Sequence, residues 1–294
     1  MLFQLKKLPL ITFLANKRFV LKDLIEQKVM DEQADISNAI NLQLYFIKLL
    51  DDYEINIFIL NDIEKRVNYS FTNIQDIAEK LVQKGLLKRI ERGKYCRHNF
   101  NDEWVISNYL INDGVVAYWS ALNRHGLTEQ FANTIFVQTA KEKKGKSVFG
   151  VDYKFIHVAK RKLTGYKMYG YGNNQYRMTD IEKTIVDCFD LPEYSGGYAE
   201  LLRAFNSAAL DANQMVVHCK AVNNIAVTKR IAFLAEYLQK PDFDIFFKYA
   251  KELVNEKYSL LDPIGLDTGE HISQWKIRLN ISKDEISEIC NKIY

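Results

Sequence analysis

Proline is scarce in this chain: four residues in 294. Long extended linkers and proline-rich recognition segments are therefore not expected. Cysteine is equally sparse. Cys96, Cys188, Cys219 and Cys290 stand far apart with no CxxC pair. That spacing gives no zinc or dithiol redox motif, and a reduced cytoplasmic protein is the simplest account. No apolar run is long enough to span a bilayer. The start, MLFQLKKLPLITFLANKRF, has lysines before a short apolar stretch. Pro9 interrupts that stretch, and it runs into Lys17-Arg18 without a small-residue cleavage site, so export is not expected. Glycines occur as Gly170, Gly172, Gly196 and Gly197, but no GxGxxG or GxxxxGK[ST] follows a strand, so the phosphate-binding loops of nucleotide enzymes are missing.

What is present is an ordinary globular composition, 48% apolar and 26% charged, with 17 Phe and 17 Tyr to fill cores. The length suits two domains. Net charge is +3, and its placement is uneven. Residues 1–100 hold 16 Lys or Arg against 13 Asp or Glu, whereas 101–294 hold 24 against 24. Within 80–97 there are seven basic residues and one acid, Glu91. A focused patch of this kind suits a polyanion, although a solvated face has the same look.

The pattern around that patch is specific. Residues 1–36 form a helical extension in their second half, with Asp35 or Ser37 as the cap of the next element. Residues 38–51 form a first helix, 54–60 a short extended piece, and 62–66 a second helix capped by Asn61. A turn then leads to a third helix, 71–84, capped by Ser70 and closed by Gly85. The segments LLKRI and KYCRH, joined at Glu91-Arg92-Gly93, make a basic hairpin. Helix, helix and hairpin in this order match a winged helix-turn-helix over 37–98, which sets one helix in a DNA groove and the hairpin on flanking phosphates. Thr72, Asn73 and Gln75, with Ser70 before them, sit where such helices meet base edges. Lys80 and Lys84, and Lys88, Arg89, Arg92 and Lys94 of the hairpin, are placed for phosphate. Asp76 and Glu79 dilute the field.

From 99 to 294 the texture changes to mixed α and β. The expected elements are helices at 102–111 and 115–126, strands at 134–140 and 151–159, short extended pieces at 166–172 and 175–179, a helix at 180–189 capped by Thr179 or Asp180, a helix introduced by Gly196-Gly197, and a strand at 275–279. The fold class is thus α+β, a winged helix-turn-helix followed by a larger mixed domain. Two chemical motifs are weak. Ser120 and His125 lie five apart on one helix with no third orienting group. Asp180, Glu182, Lys183 and Asp187 have the composition of a metal nuclease, but Glu182 and Lys183 are adjacent and diverge on a helix. Two basic clusters, Lys141, Lys143, Lys144 and Lys146, and 160–162, flank a strand. If 134–140 and 151–159 form a hairpin, they lie at its opposite ends.

Several phrases resemble the AbiEi antitoxins of type IV toxin–antitoxin, or abortive infection, systems. They are RGKY at 92–95, YWSALNRHGLTE at 118–129, FIHV at 155–158, MTDIEKTIVDCF at 178–189, SGGYAELLRAF at 195–205, KRIAFLAEYL at 229–238, and LLDPIGLDTG at 260–269 with WKIRLN at 275–280. Together they span about residue 40 to residue 280 in the family's order. The resemblance implies a winged helix that represses its own operon at inverted repeats of double-stranded DNA. It also implies a second domain that counters a nucleotidyltransferase-like toxin, with no catalysis, metal or cofactor of its own. It leaves direct contact with the toxin open, and a monomer or weak dimer is expected. Lys143, Lys144, Arg161 and Lys183 are the candidate surface for that second task. The competing readings are a metal-dependent nuclease and a ligand-sensing regulator with a C-terminal pocket.

Overall fold

The computed structural model describes Lys28, residues 41–130 and residues 133–292. Apart from Lys28, the extension 1–36 and its caps lie outside the described residues. The chain divides into two compact units with the boundary between His98 and Asn99, and both are mixed α and β.

In the first unit, residues 41–52 are helical (α1). Phe46, Leu49 and Leu50 recur at helical spacing and are buried. Leu44 of the same helix is exposed. Then come β1 (Ile57–Ile59), α2 (Leu60–Val67), α3 (Ile74–Gln83), β2 (Leu87–Glu91) and β3 (Lys94–Arg97). The strands form an antiparallel sheet in the order β1-β3-β2. Phe46 packs edge-on against Phe58 of β1 and Phe71, and Phe58 stacks on Tyr95 of β3, so aromatic rings join helix, turn and sheet.

Two boundaries differ from the sequence expectation. Helix α2 begins at Leu60, directly after β1, and Asn61 lies inside it. Its N-cap, Ile59, has no side-chain acceptor, and the Leu60 N–H donates instead to the Gly93 carbonyl of the hairpin turn at 2.8 Å. Helix α3 begins at Ile74, and Ser70 does not cap it. Phe71 is buried, and its N–H donates to the Glu64 carboxylate at 2.6 Å. The helix starts only after Asn73, which turns the chain in the left-handed conformation at φ 60°.

The second unit opens with α4 (Glu103–Leu110), capped by Asp102, whose side chain accepts from the Val105 N–H at 3.0 Å. Next are β4 (Val115–Val116), α5 (Tyr118–Arg124), β5 (Thr134–Thr139), β6 (Lys146–Val148), β7 (Val151–His157), β8 (Tyr166–Tyr171) and β9 (Asn174–Thr179). They build a sheet ordered β6-β7-β5-β4-β9-β8. The stretch 115–126 is thus a short central strand followed by a helix, not one helix. Strands β5 and β7 are parallel, with Thr134 opposite Asp152 and Thr139 opposite His157. They do not form a hairpin; the antiparallel partner of β7 is β6, inside the expected charged loop.

Helices α6 (Ile181–Asp190), α7 (Tyr198–Ser207), α8 (Ala212–Val222), α9 (Ile225–Tyr237) and α10 (Asp244–Leu253) follow. The small sheet β10 (Ser259–Leu260), β11 (Glu270–Ile272) and β12 (Ile277–Leu279) and the helix α11 (Lys283–Asn291) complete the unit. Helix α6 runs through its centre: Ile185, Val186, Cys188 and Phe189 are fully buried. Among the described residues, no helix is long and apolar enough to cross a membrane.

Candidate nucleic-acid interface

The outward face of α3 and the hairpin β2–β3 are held in a fixed relation by one acid. Glu79, near the middle of α3, accepts a hydrogen bond from the Tyr95 hydroxyl at 2.6 Å and one from the Gln75 amide at 3.2 Å, and it pairs with Arg89 at 3.3 Å. Gln75, one turn toward the N-terminus, also reaches the Tyr95 hydroxyl at 3.3 Å. Burial first, and then the Glu79 carboxylate, push the Tyr95 hydroxyl up to about 12, so it remains a donor. Arg89 faces Tyr95 across the hairpin. Both strands of the hairpin are therefore tied to the same stretch of α3, Gln75 to Glu79, and Arg92 and Gly93 form the turn beyond them.

The candidate residues divide by what else they hold. Ser70, Thr72, Asn73 and Arg92 are exposed, and their side chains make no hydrogen bond or ion pair with a described residue. The other cations are engaged. Lys80 pairs with Asp76 at 2.9 Å, Lys94 with Glu91 at 2.7 Å, and Lys84 donates to Gln43 of α1 at 2.7 Å. Lys88 is half-buried. Gln75, expected as a base reader, is committed to Glu79 and Tyr95. The basic run 80–97 thus carries a weaker outward field than its composition implies, since Asp76, Glu79 and Glu91 fold back onto it. Arg97 is structural: it pairs with Asp51 and donates to the Ile47 carbonyl at 3.3 Å, clamping β3 to α1. Glu79 is the residue that sequence reasoning undervalued. Its signal was its position one turn after Gln75 on the polar face.

In the second unit the parallel pairing of β5 and β7 reverses one expectation. The clusters after these strands, at 141–144 and 160–162, leave from the same end of the sheet rather than from opposite ends. Lys144 is exposed there, as is Arg161, which donates to the Val222 carbonyl at 3.1 Å. Lys143 is half-buried, donating to the Leu110 carbonyl at 2.5 Å and lying over the Phe155 ring. Lys183 is not a surface residue at all. It is fully buried and paired with Asp187 one turn on, and Asp187 also accepts from the Gln138 amide at 3.0 Å. Lys183 points inward because α6 is enclosed on all sides, and its ammonium meets the only kind of partner that makes burial tolerable.

The same packing disperses the nuclease-like carboxylates. Asp187 is inside the core, where burial pushes its carboxyl up against the opposing pull of Lys183. Asp180 caps α6, accepting from the Lys183 N–H at 2.8 Å. Glu182 accepts from the Asp211 N–H at 3.0 Å. Ser120 is buried and bonded to the β5 backbone, donating to the Thr134 carbonyl and accepting from the Phe136 N–H. His125 closes α5, its N–H donating to the Ala121 carbonyl, and its Nε2 contacts the Thr179 carbonyl at 2.8 Å, tying the end of α5 to β9. Among the described residues no cluster of three His, Cys, Asp or Glu side chains is arranged to hold a metal.

No family model matches the chain, and no curated protein matches it by sequence. Among solved structures it is similar to the RV2827C protein from Mycobacterium tuberculosis, at 10% identity and a TM-score of 0.55, over 83% of this chain and 92% of that one. At that identity the likeness is one of fold.

Proposed function

We propose that the chain is an antitoxin of the AbiEi type that represses its own operon. In this reading the first unit is a winged helix-turn-helix that binds inverted repeats in the promoter. The second unit counters a nucleotidyltransferase-like toxin without catalysing a reaction. The observation that carries the DNA half is the junction of Glu79, Gln75, Tyr95 and Arg89, which ties the polar face of α3 to the hairpin, while Ser70, Thr72 and Asn73 before the helix and Arg92 at the hairpin turn stay exposed. A duplex that meets both receives side chains able to pair with base edges and a cation able to reach phosphate. The order α1-β1-α2-α3-β2-β3 with the sheet β1-β3-β2 supports this reading of the first unit. The first unit has few uncommitted cations, so two chains on one palindromic site supply the missing charge neutralisation.

Binding of the full-length Arg92→Ala variant to its own promoter region tests this. One lost phosphate contact lowers the salt slope by about 0.9. Affinity and slope equal to those of the unaltered chain remove the tip from the interface. The second half is tested by cell rescue. Lys144 and Arg161, brought to one end of the sheet, form a basic surface suited to an acidic face of the toxin. Lys144→Glu with Arg161→Glu is expected to lose rescue of toxin-expressing cells while keeping promoter binding, and Arg92→Ala to do the reverse. Full rescue by the charge-reversed chain refutes the assignment of that surface.

A further inference from the structure

The second unit contains a cavity of about 800 Å³ between the start of α4, the outer face of α5 and the start of β5. Its size falls within the range of small-molecule sites. Two of the chain's three tryptophans, Trp104 and Trp119, line it. Trp104 stacks on Tyr176, with centroids 6.3 Å apart, and Tyr176 stacks on Tyr169. Trp119 lies against Gly196, where a Cβ would stand 2.7 Å from the indole Cε2; the φ of +81° there also favours glycine. Both walls are therefore fixed in place before any ligand arrives.

Arg124 donates through Nε to the Tyr176 hydroxyl at 3.0 Å, which places its guanidinium beside the aromatic stack. That bond, with Asp102 and Glu103 nearby, holds the guanidinium firmly charged. Its terminal nitrogens make no hydrogen bond or ion pair with a described residue, and neither do the carboxylates of Glu103 and Glu129, which also line the cavity. One cation against two anions disfavours a phosphate-rich guest. A simple cation would meet Arg124. A neutral planar guest carrying both donors and acceptors on its edge meets neither objection.

We propose that this cavity binds a nucleobase, with guanine preferred. The base stacks on the Trp104 indole, as bases do on aromatic platforms. Arg124 donates to the guanine O6 and N7 pair, the commonest arginine–base contact. A carboxylate, Glu103 or Glu129, accepts from the N1–H and N2–H of the same base. Adenine offers no such adjacent donors and binds more weakly. The inference does not rest on the DNA-binding reading of the first unit, and neither result decides the other.

The same chemistry is presented by a free nucleoside and by an unstacked base in a single strand, so both are probed. Calorimetric titration of the full-length chain with guanosine, adenosine, cytidine and uridine is run beside titration with a short single-stranded oligonucleotide containing guanine. The expected result is saturable binding of guanosine over adenosine, of the guanine-containing strand, or of both; which of these binds identifies the source. Arg124→Gln, at an exposed position, should lower guanine affinity about tenfold or more and erase the preference over adenine. Trp104→Ala should weaken all bases alike, and circular dichroism of each variant checks that it folds. Should Trp104→Ala unfold, Arg124→Gln decides alone. The proposal is overturned by the absence of saturable binding at millimolar concentration, or by an Arg124→Gln variant indistinguishable from the unaltered chain.

Discussion

Replacing Glu79 by glutamine tests the electrostatics of the candidate interface directly. The carboxylate neutralises Arg89 at 3.3 Å and accepts from Tyr95 at 2.6 Å. A glutamine amide oxygen still accepts from Tyr95 but releases Arg89, whose side chain is 43% exposed. The exposed ion pair itself is worth at most about 1 kcal/mol, and exchanging a charged for a neutral acceptor costs about another 1 kcal/mol, so the fold survives. If the freed Arg89 takes one phosphate, the salt slope steepens by about 0.9, and the variant's advantage shrinks about three- to fourfold between about 50 and 200 mM salt. Glu79→Gln should therefore bind promoter DNA more tightly than the unaltered chain at low salt, with the gain fading as salt rises. Fluorescence anisotropy of a labelled duplex at several salt concentrations measures it. Tyr95 should also ionise more readily once the neighbouring charge is gone. A folded variant whose slope equals or falls short of the original refutes the account of Glu79 as an electrostatic brake.

Three further outcomes are expected. Lys183→Met strands Asp187 in the core and should cost about 3–5 kcal/mol, seen as a loss of roughly 10 °C in melting temperature; adding Asp187→Leu should recover most of it, and a single variant as stable as the original refutes the buried pair. At Asp180 burial alone would raise the carboxyl, but hydrogen bonds from His218 and the Lys183 N–H outweigh it and hold it below the ordinary range; its contribution is therefore present above the unfolded value of about 3.9 and lost as pH falls through the folded one. Asp180→Asn should accordingly be less stable at neutral pH and show a flatter acid limb in denaturant titrations, and an unchanged acid limb counts against the assignment. Asn73→Ala, at φ 60°, should cost about 1 kcal/mol of stability whereas Asn73→Gly should not, and equal midpoints for the two refute the left-handed turn.

Local signals in the sequence reach as far as period and punctuation allow. The spacing of Ile77, Ala78 and Leu81 marks the buried side of α3, Gly93 marks the hairpin turn, and Asp180 marks the start of α6. Partnership between distant segments is not written in such periods. Nothing in TIFVQT or VDYKFIH tells a parallel neighbour from a hairpin partner, so the gathering of two basic clusters at one sheet end appears only when register is known. Val115-Val116 is too short to announce itself as a central strand. Lys183 illustrates the limit most sharply, since a lysine within an apolar helix looks like a solvated position until the surrounding helices close over it. At the interface, composition counted seven cations, whereas the fold returns most of them to acids and amides on the same small unit.

The bond from the Leu60 amide to the Gly93 carbonyl has a kinetic corollary. A reaching arm that swings freely must be immobilised at each encounter, and that loss of motion is charged against every complex formed. Here the turn is already fastened to the first residue of α2, so under the proposed function Arg92 would meet DNA from a stiff mount. Cutting that tether without touching the arginine, by lengthening the turn, should leave the contact available but make it slower to form and quicker to break.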